Sequence, residues 1–217
     1  MRFLYPGIVL LLAGCATPTE YIRPDTGRPT YSTSDGGVAR TIERSLVVDR
    51  PLGVVWRQLL SGVVKRSFVI EGVNPNTWTA QLRYTGDPKD YIDCGRVISK
   101  VKTAKGERNY DFPAAKAYQQ YELQQDNKLY LVDRRMNLEA RATVVLAAVN
   151  PSATRVNLET HYTVIRDQSV QGGGKPFGVT DKVSFGSADS ATFPTNAPTK
   201  CQATGRLERD VFEAMRR

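Results

Sequence analysis

Residues 136–164 read MNLEARATVVLAAVNPSATRVNLETHYTV, and their alternation decides the fold. Met136, Leu138, Ala140, Ala142, Val144, Leu146 and Ala148 fall on one side, and Asn137, Glu139, Arg141 and Thr143 on the other. Asn150-Pro151-Ser152 interrupts the pattern with turn-forming residues. A second alternation then sets Val156, Leu158, Thr160, Tyr162 and Val164 against Arg155, Asn157, Glu159, His161 and Thr163. Successive strand side chains face opposite sides of a sheet, so a period of two with apolar residues on one side predicts a half-buried strand. Two matched arms around a turn predict an antiparallel hairpin with one wet face.

Upstream, residues 42–48 are apolar enough for a first strand, and Pro51 stands where the first turn of a helix tolerates proline. Leu52, Val55, Trp56, Leu59, Leu60, Val63 and Val64 follow at three-and-four spacing, a helical stripe that predicts a long helix lying on a sheet. Residues 67–73 and 78–84 read as strands joined by Asn74-Pro75-Asn76, and residues 97–101 as another. Downstream, residues 167–200 are broken by Gly172, Gly173, Gly174, Pro176, Gly178, Gly186, Pro194 and Pro198 and read as irregular, apart from a short strand near residues 182–185. A terminal helix is expected over residues 205–216, with Leu207, Val211, Phe212 and Met215 on its apolar face. The expected class is therefore α+β: an antiparallel sheet with one long helix after the first strand and a helix at the C-terminus.

The chain opens with Arg2, an apolar run to Leu12, and then Leu12-Ala13-Gly14-Cys15. This resembles the lipobox of bacterial lipoproteins, in which the leader is cleaved and the cysteine acylated. The resemblance implies a signal peptide over residues 1–14, lipidation with palmitate-type chains at Cys15 and, because Ala16 is not aspartate, sorting to the outer membrane with the domain facing the periplasm. The apolar run of about ten residues is half of what a membrane-spanning helix needs. Residues 15–38 carry Pro18, Pro24, Pro29, Gly27, Gly36 and Gly37 and no hydrophobic period. They are expected to be a flexible tether with an end-to-end distance of roughly 25–30 Å. Residues 39–217 are expected to form one α+β domain. Its element order resembles the helix-grip folds and, with the lipobox and tether, the small domains of outer-membrane assembly lipoproteins of the BamC type.

With Cys15 assigned to the anchor, Cys94 and Cys201 remain as an even pair in an oxidising compartment and predict a disulfide. Two free thiols or a metal pair are the alternatives, but with His161 as the sole histidine they do not make a four-ligand zinc site. The net charge of +8 falls to +7 once Arg2 leaves with the leader, and the basic residues are interleaved with acids. That spread argues against a nucleic-acid partner.

No nucleophilic constellation emerges. His161 sits mid-strand beside Glu159 and Thr163. Gly172-Gly173-Gly174-Lys175 lacks the hydroxyl residue and the earlier glycine of a phosphate loop, and reads as a flexible turn. Asp87, Asp90 and Asp93 lack the ordered spacing of a calcium loop and are expected to form turns and to pair with Lys89 and Arg96. The sequence therefore predicts no enzyme, no cofactor and no metal site. Its expected role is a non-enzymatic envelope lipoprotein, anchored in the membrane by lipid and binding an envelope protein partner as an assembly component. The alternative is a carrier or sensor of a lipid-like ligand, with a cavity between sheet and helix lined by Trp78, Tyr84, Tyr162 and Phe212.

Overall fold

The computed structural model describes residues 41–104, 106–125, 128–194 and 199–216. In chain order the elements are β1 (Ser45–Val48), α1 (Leu52–Val64), β2 (Val69–Asn74), β3 (Thr79–Gly86), β4 (Ile92–Asp93), β5 (Arg96–Thr103) and β6 (Gly106–Pro113). They continue with β7 (Tyr118–Gln125), β8 (Lys128–Asn150), β9 (Ala153–Gln171), β10 (Phe177–Gly186), β11 (Ser190–Phe193), β12 (Thr199–Ala203) and α2 (Arg206–Ala214).

The hairpin of β8 and β9 is the spine. Its register pairs Leu146 with Val156, Ala140 with Tyr162 and Val132 with Val170. One face is buried from Tyr130 to Leu146 on β8 and from Thr154 to Val170 on β9, while the other faces water. The near end of the spine, beside its turn, carries β1 on the β9 side and β3 then β2 on the β8 side. The far end carries β10 against β9 and β7 against β8. A ribbon of β5 and β6 lies on β7, where the Ser99 hydroxyl donates to the Glu122 carbonyl at 2.7 Å. A smaller sheet has the order β11-β12-β4.

Both helices cover the near end. α1 buries Val55, Trp56, Leu59 and Val63, the predicted stripe, and α2 buries Leu207, Val211 and Phe212. The helices meet where Gly62 lies against the backbone of Ala214, and any side chain at position 62 would collide with the Ala214 carbonyl. Together with Leu82, Leu138, Val144 and Leu158 from the sheet, they make the main core. Fully burying each such side chain contributes about 1.5–3 kcal/mol. A second core of Phe112, Tyr121, Leu123, Tyr130, Val132 and Val170 fills the far end.

The expected α+β, helix-grip-like arrangement is not what forms. Strand accounts for 62% of the described residues and helix for 13%. The helices are only 13 and 9 residues long, too short to be gripped by a wrapped sheet. The correction has three sources. Residues 128–135 and 165–171 prolong the hairpin to arms of 23 and 19 residues. The segment expected to be irregular supplies β10, β11 and β12. And β6 (GERNYDFP) and β7 (YQQYELQQ) are strands despite weak alternation, because β5 and β8 satisfy their backbone groups.

Candidate functional site

Cys15, the expected lipidation position, and the expected signal and tether segments lie outside the described residues. No helix among the described residues is long and apolar enough to cross a membrane. The expected disulfide between Cys94 and Cys201 is present, closing a loop of 107 residues. Both cysteines are buried, and the bridge ties the loop after β4 to β12, which leads directly into α2.

Beside this bridge lies a cluster of buried polar groups. Gly205, at φ +73°, turns the chain from β12 into α2. Glu208 then sits in the first turn of that helix, where the positive end of the helix dipole favours a carboxylate. Its carboxylate accepts the Tyr162 hydroxyl at 2.8 and 2.9 Å and the Ser187 hydroxyl at 2.5 Å. Burial, reinforced by the charge of Glu208, pushes the Tyr162 hydroxyl far above the ordinary tyrosine range. Two residues on, Asp210 accepts the Tyr91 hydroxyl at 3.1 Å, and burial followed by the Asp210 charge pushes Tyr91 up as well. Arg66 of the α1 end reaches Asp210 at 3.9 Å and Glu213 at 3.2 Å. These bonds lock α2 to the spine, to the β10–β11 loop and to α1. Ser187 donates to a carboxylate inside the protein, whereas His161 is exposed on the outer face, so the structure does not bring these two residues together for nucleophilic chemistry.

The four aromatic residues expected to line a cavity are placed as follows. Tyr162 is fully buried and stacks on Phe185 with centroids 5.5 Å apart. Phe212 is buried in the main core. Trp78, at φ +50° just before β3, meets the edge of Trp56 at 5.7 Å. Tyr84 meets Tyr91 at 4.7 Å and donates to the Asp87 carbonyl at 3.1 Å. Two clefts, of about 360 and 350 Å³, are lined by other residues: Gln58, Ser61, Gly62, Lys65, Arg66 and Ala214 for the first, and residues 46–50 with Arg216 for the second. The three aspartates turn to separate partners. Asp87 accepts the Lys89 amide at 3.0 Å, Asp90 pairs with Arg206 at 3.4 Å and Asp93 accepts the Gly95 amide at 2.9 Å. Arg96, expected beside them, pairs instead with Asp111 at 2.7 Å. Among the described residues no group of three or more potential metal ligands comes together.

Sequence reading missed the buried charges. Arg134 and Arg166 are almost wholly buried on the inner face of the spine, with Gln168 opposite Arg134 in the register. Arg166 pairs with Asp181 of β10 at 2.7 Å and stacks its guanidinium on the Phe193 ring at 4.4 Å. Arg134 donates to the Ala114 carbonyl. This layer stands between the two cores. Its signal was in the alternation: Arg134 is in phase with Met136, and Arg166 with Val164. Glu208 is likewise in phase with Val211, Phe212 and Met215. Nothing in the sequence marked Ser187.

The outer face, by contrast, is a mesh of exposed charges. Arg83 bonds Glu71 at 2.7 Å, and Arg141 reaches Glu139 at 3.0 Å and Glu71 at 3.8 Å. Val47 and Val145 interrupt this mesh as exposed apolar residues near the turn of the spine. Comparison of the chain with family models, with curated proteins and with solved structures returned no match.

Proposed function

We propose that the protein is a lipid-anchored module of the bacterial envelope that binds a protein partner at the outer membrane and has no catalytic role. The observation that carries this reading is the tetrad Leu12-Ala13-Gly14-Cys15 at the end of an apolar run, followed by a proline- and glycine-punctuated stretch before the first strand. A buried disulfide agrees with life outside the reducing cytoplasm. The long wet face of the spine offers a broad, charged surface for a partner, with exposed valines at its near end.

The test has two steps. Cells fed an alkyne-bearing fatty acid should label the wild-type chain but not Cys15→Ser, and the variant should leave the membrane fraction. A photo-crosslinker replacing His161 on the outer face should then trap one discrete species in the wild-type background. The same probe on Cys15→Ser should trap much less, because anchoring confines both partners to one surface. An unlabelled wild-type chain recovered from the cytoplasm would refute the anchor. A crosslinker that traps nothing on any outer-face position would refute the partner.

A further inference from the structure

We propose that the far end of the spine is a membrane-contact tip, in which Lys102, Lys128 and Lys175, with Leu129 beside them, dock on a bilayer containing anionic phospholipid. The membrane-anchored reading enters only in the choice of surface; the tip itself is read from geometry. The described strand ends of the pairs β5–β6, β7–β8 and β9–β10 lie there. The Lys102 amide donates to the Gln124 side chain at 3.0 Å, and Gln124 stands opposite Leu129 in the pairing of β7 with β8. Gln125 stands opposite Lys128. The turn Gly172-Gly173-Gly174-Lys175 lies against Leu129 and Tyr130 of β8. Gly172, at φ +116°, lies so close that a side chain would run into the Leu129 carbonyl, and one at Gly173, φ +65°, would lie 2.7 Å from the Tyr130 ring. The triple glycine thus lets the turn that ends in Lys175 pass close against the start of β8, and this explains a motif that phosphate-loop logic left unused.

Lys102, Lys128 and Lys175 are all exposed, and Leu129 is 41% exposed. Among the acids described nearby, Glu107 stands opposite Lys102, and Glu122 is held by Arg108 at 2.9 Å. Exposed flexible ammonium groups, with a part-exposed apolar side chain in the same end of the sheet, suit a deformable anionic surface. A bilayer rewards this combination, since headgroup charge attracts lysine while a leucine enters the boundary region. The anchor permits the contact. From Asn157, which pairs with β1, to Gln171 the spine runs about 45 Å, and the chain from Cys15 to residue 40 can extend to about 80 Å.

The full chain carrying Cys15→Ser has no acyl group, and its binding to vesicles can be measured by flotation. Phosphatidylcholine vesicles are compared with vesicles that also contain phosphatidylglycerol. The apolar leader binds both kinds and cancels in the ratio. The tip variant Lys102→Gln/Lys128→Gln/Lys175→Gln should lose the preference for anionic vesicles by roughly tenfold or more. Leu129→Ser should weaken binding to both kinds. The control Lys65→Gln/Lys89→Gln/Lys200→Gln removes the same charge elsewhere and should keep the preference. Equal losses in the two triple variants, or an unchanged preference in the tip variant, overturn the proposal. Failure of acylation in cells would refute the anchor while leaving this assay untouched.

Discussion

The two ends of the spine share the same pair of strands and differ in almost everything else. The near end has two helices, a disulfide and a core of more than thirty buried residues. The far end has a core of six and a ribbon whose outer strand, β6, is mostly exposed. Between them stands the layer of Arg134, Arg166 and Gln168. A buried ion pair contributes little net stability, because desolvation offsets much of its attraction. The layer therefore couples the two ends less strongly than apolar packing would. Stability is accordingly uneven along one continuous hairpin: the far end should open at lower free energy than the whole, as regions with few buried contacts do. The end proposed to touch lipid is the end with freedom to adapt.

The largest test of this contrast is the disulfide. Cys94→Ala/Cys201→Ala should cost about 2–5 kcal/mol in urea unfolding, with the chain-entropy model for a loop this long giving about 4.7 kcal/mol. Amides of β3 and α1 should then exchange faster, while those of β7 stay near their wild-type rates. Uniform acceleration along the chain would show that the two ends unfold as one. The arginine layer gives the next largest effect. Arg166→Met strips Asp181 of its partner and should cost about 3–5 kcal/mol, whereas Arg166→Met/Asp181→Leu should recover most of that loss. The double variant should also raise the protection of β7 amides modestly, since one position of the layer would then be apolar while Arg134 and Gln168 stay.

The sequence made the near end legible and the far end obscure, for a physical reason. The helix of residues 52–64 and the first stretches of the hairpin bury one face in a large core, so their period shows directly in residue type. Cys94 and Cys201 were readable as a pair by elimination. At the far end the same strand period continues through Arg134, Arg166 and Gln168, and charged residues at inward positions disguise it. β6 and β7 face water or a ribbon on much of their surface, so their composition carries little pattern. Breaks such as Gly172 to Gly174 marked turns correctly but suggested irregular chain around them, where the structure places strands β9 and β10. That misreading, more than any single residue, turned a β-rich fold into an expected α+β one. The Glu208 lock was hidden because a glutamate in a terminal helix looks solvated until its phase with Val211 and Phe212 is followed.

Gly172→Ala tests the far end alone. The substitution adds a collision with the Leu129 carbonyl to a backbone angle that L-residues resist, at about 1–3 kcal/mol. Because the far end opens separately, the loss should appear in the exchange of β7, the start of β8 and the start of β10, with the global urea midpoint moving less. Gly174→Ala, where no atom lies within 4 Å of the added carbon, should be milder. If both substitutions shift the global midpoint equally, the two ends are one cooperative unit.

The smallest effect is a titration on the wet face of the far end. The Tyr118 hydroxyl, and then the Gln120 side chain, bond the Asp133 carboxylate and hold it below its ordinary value of 3.8. The same bond raises Tyr118. A carboxyl depressed by folding adds stability that is present above its unfolded value and fades as pH falls through that value and on to the folded one. Tyr118→Phe removes the leading cause, so Asp133 should titrate at higher pH, as read from its carboxyl carbon by NMR. The pH dependence that Asp133 lends to far-end amide exchange should shrink, because its folded value moves toward the unfolded one, while the near end, which does not share this bond, should be unchanged. An Asp133 titration unchanged by Tyr118→Phe would show that Gln120, with the Arg135 charge behind it, sets the shift. In that case only the Gln120→Leu variant would sharpen the boundary between the two ends.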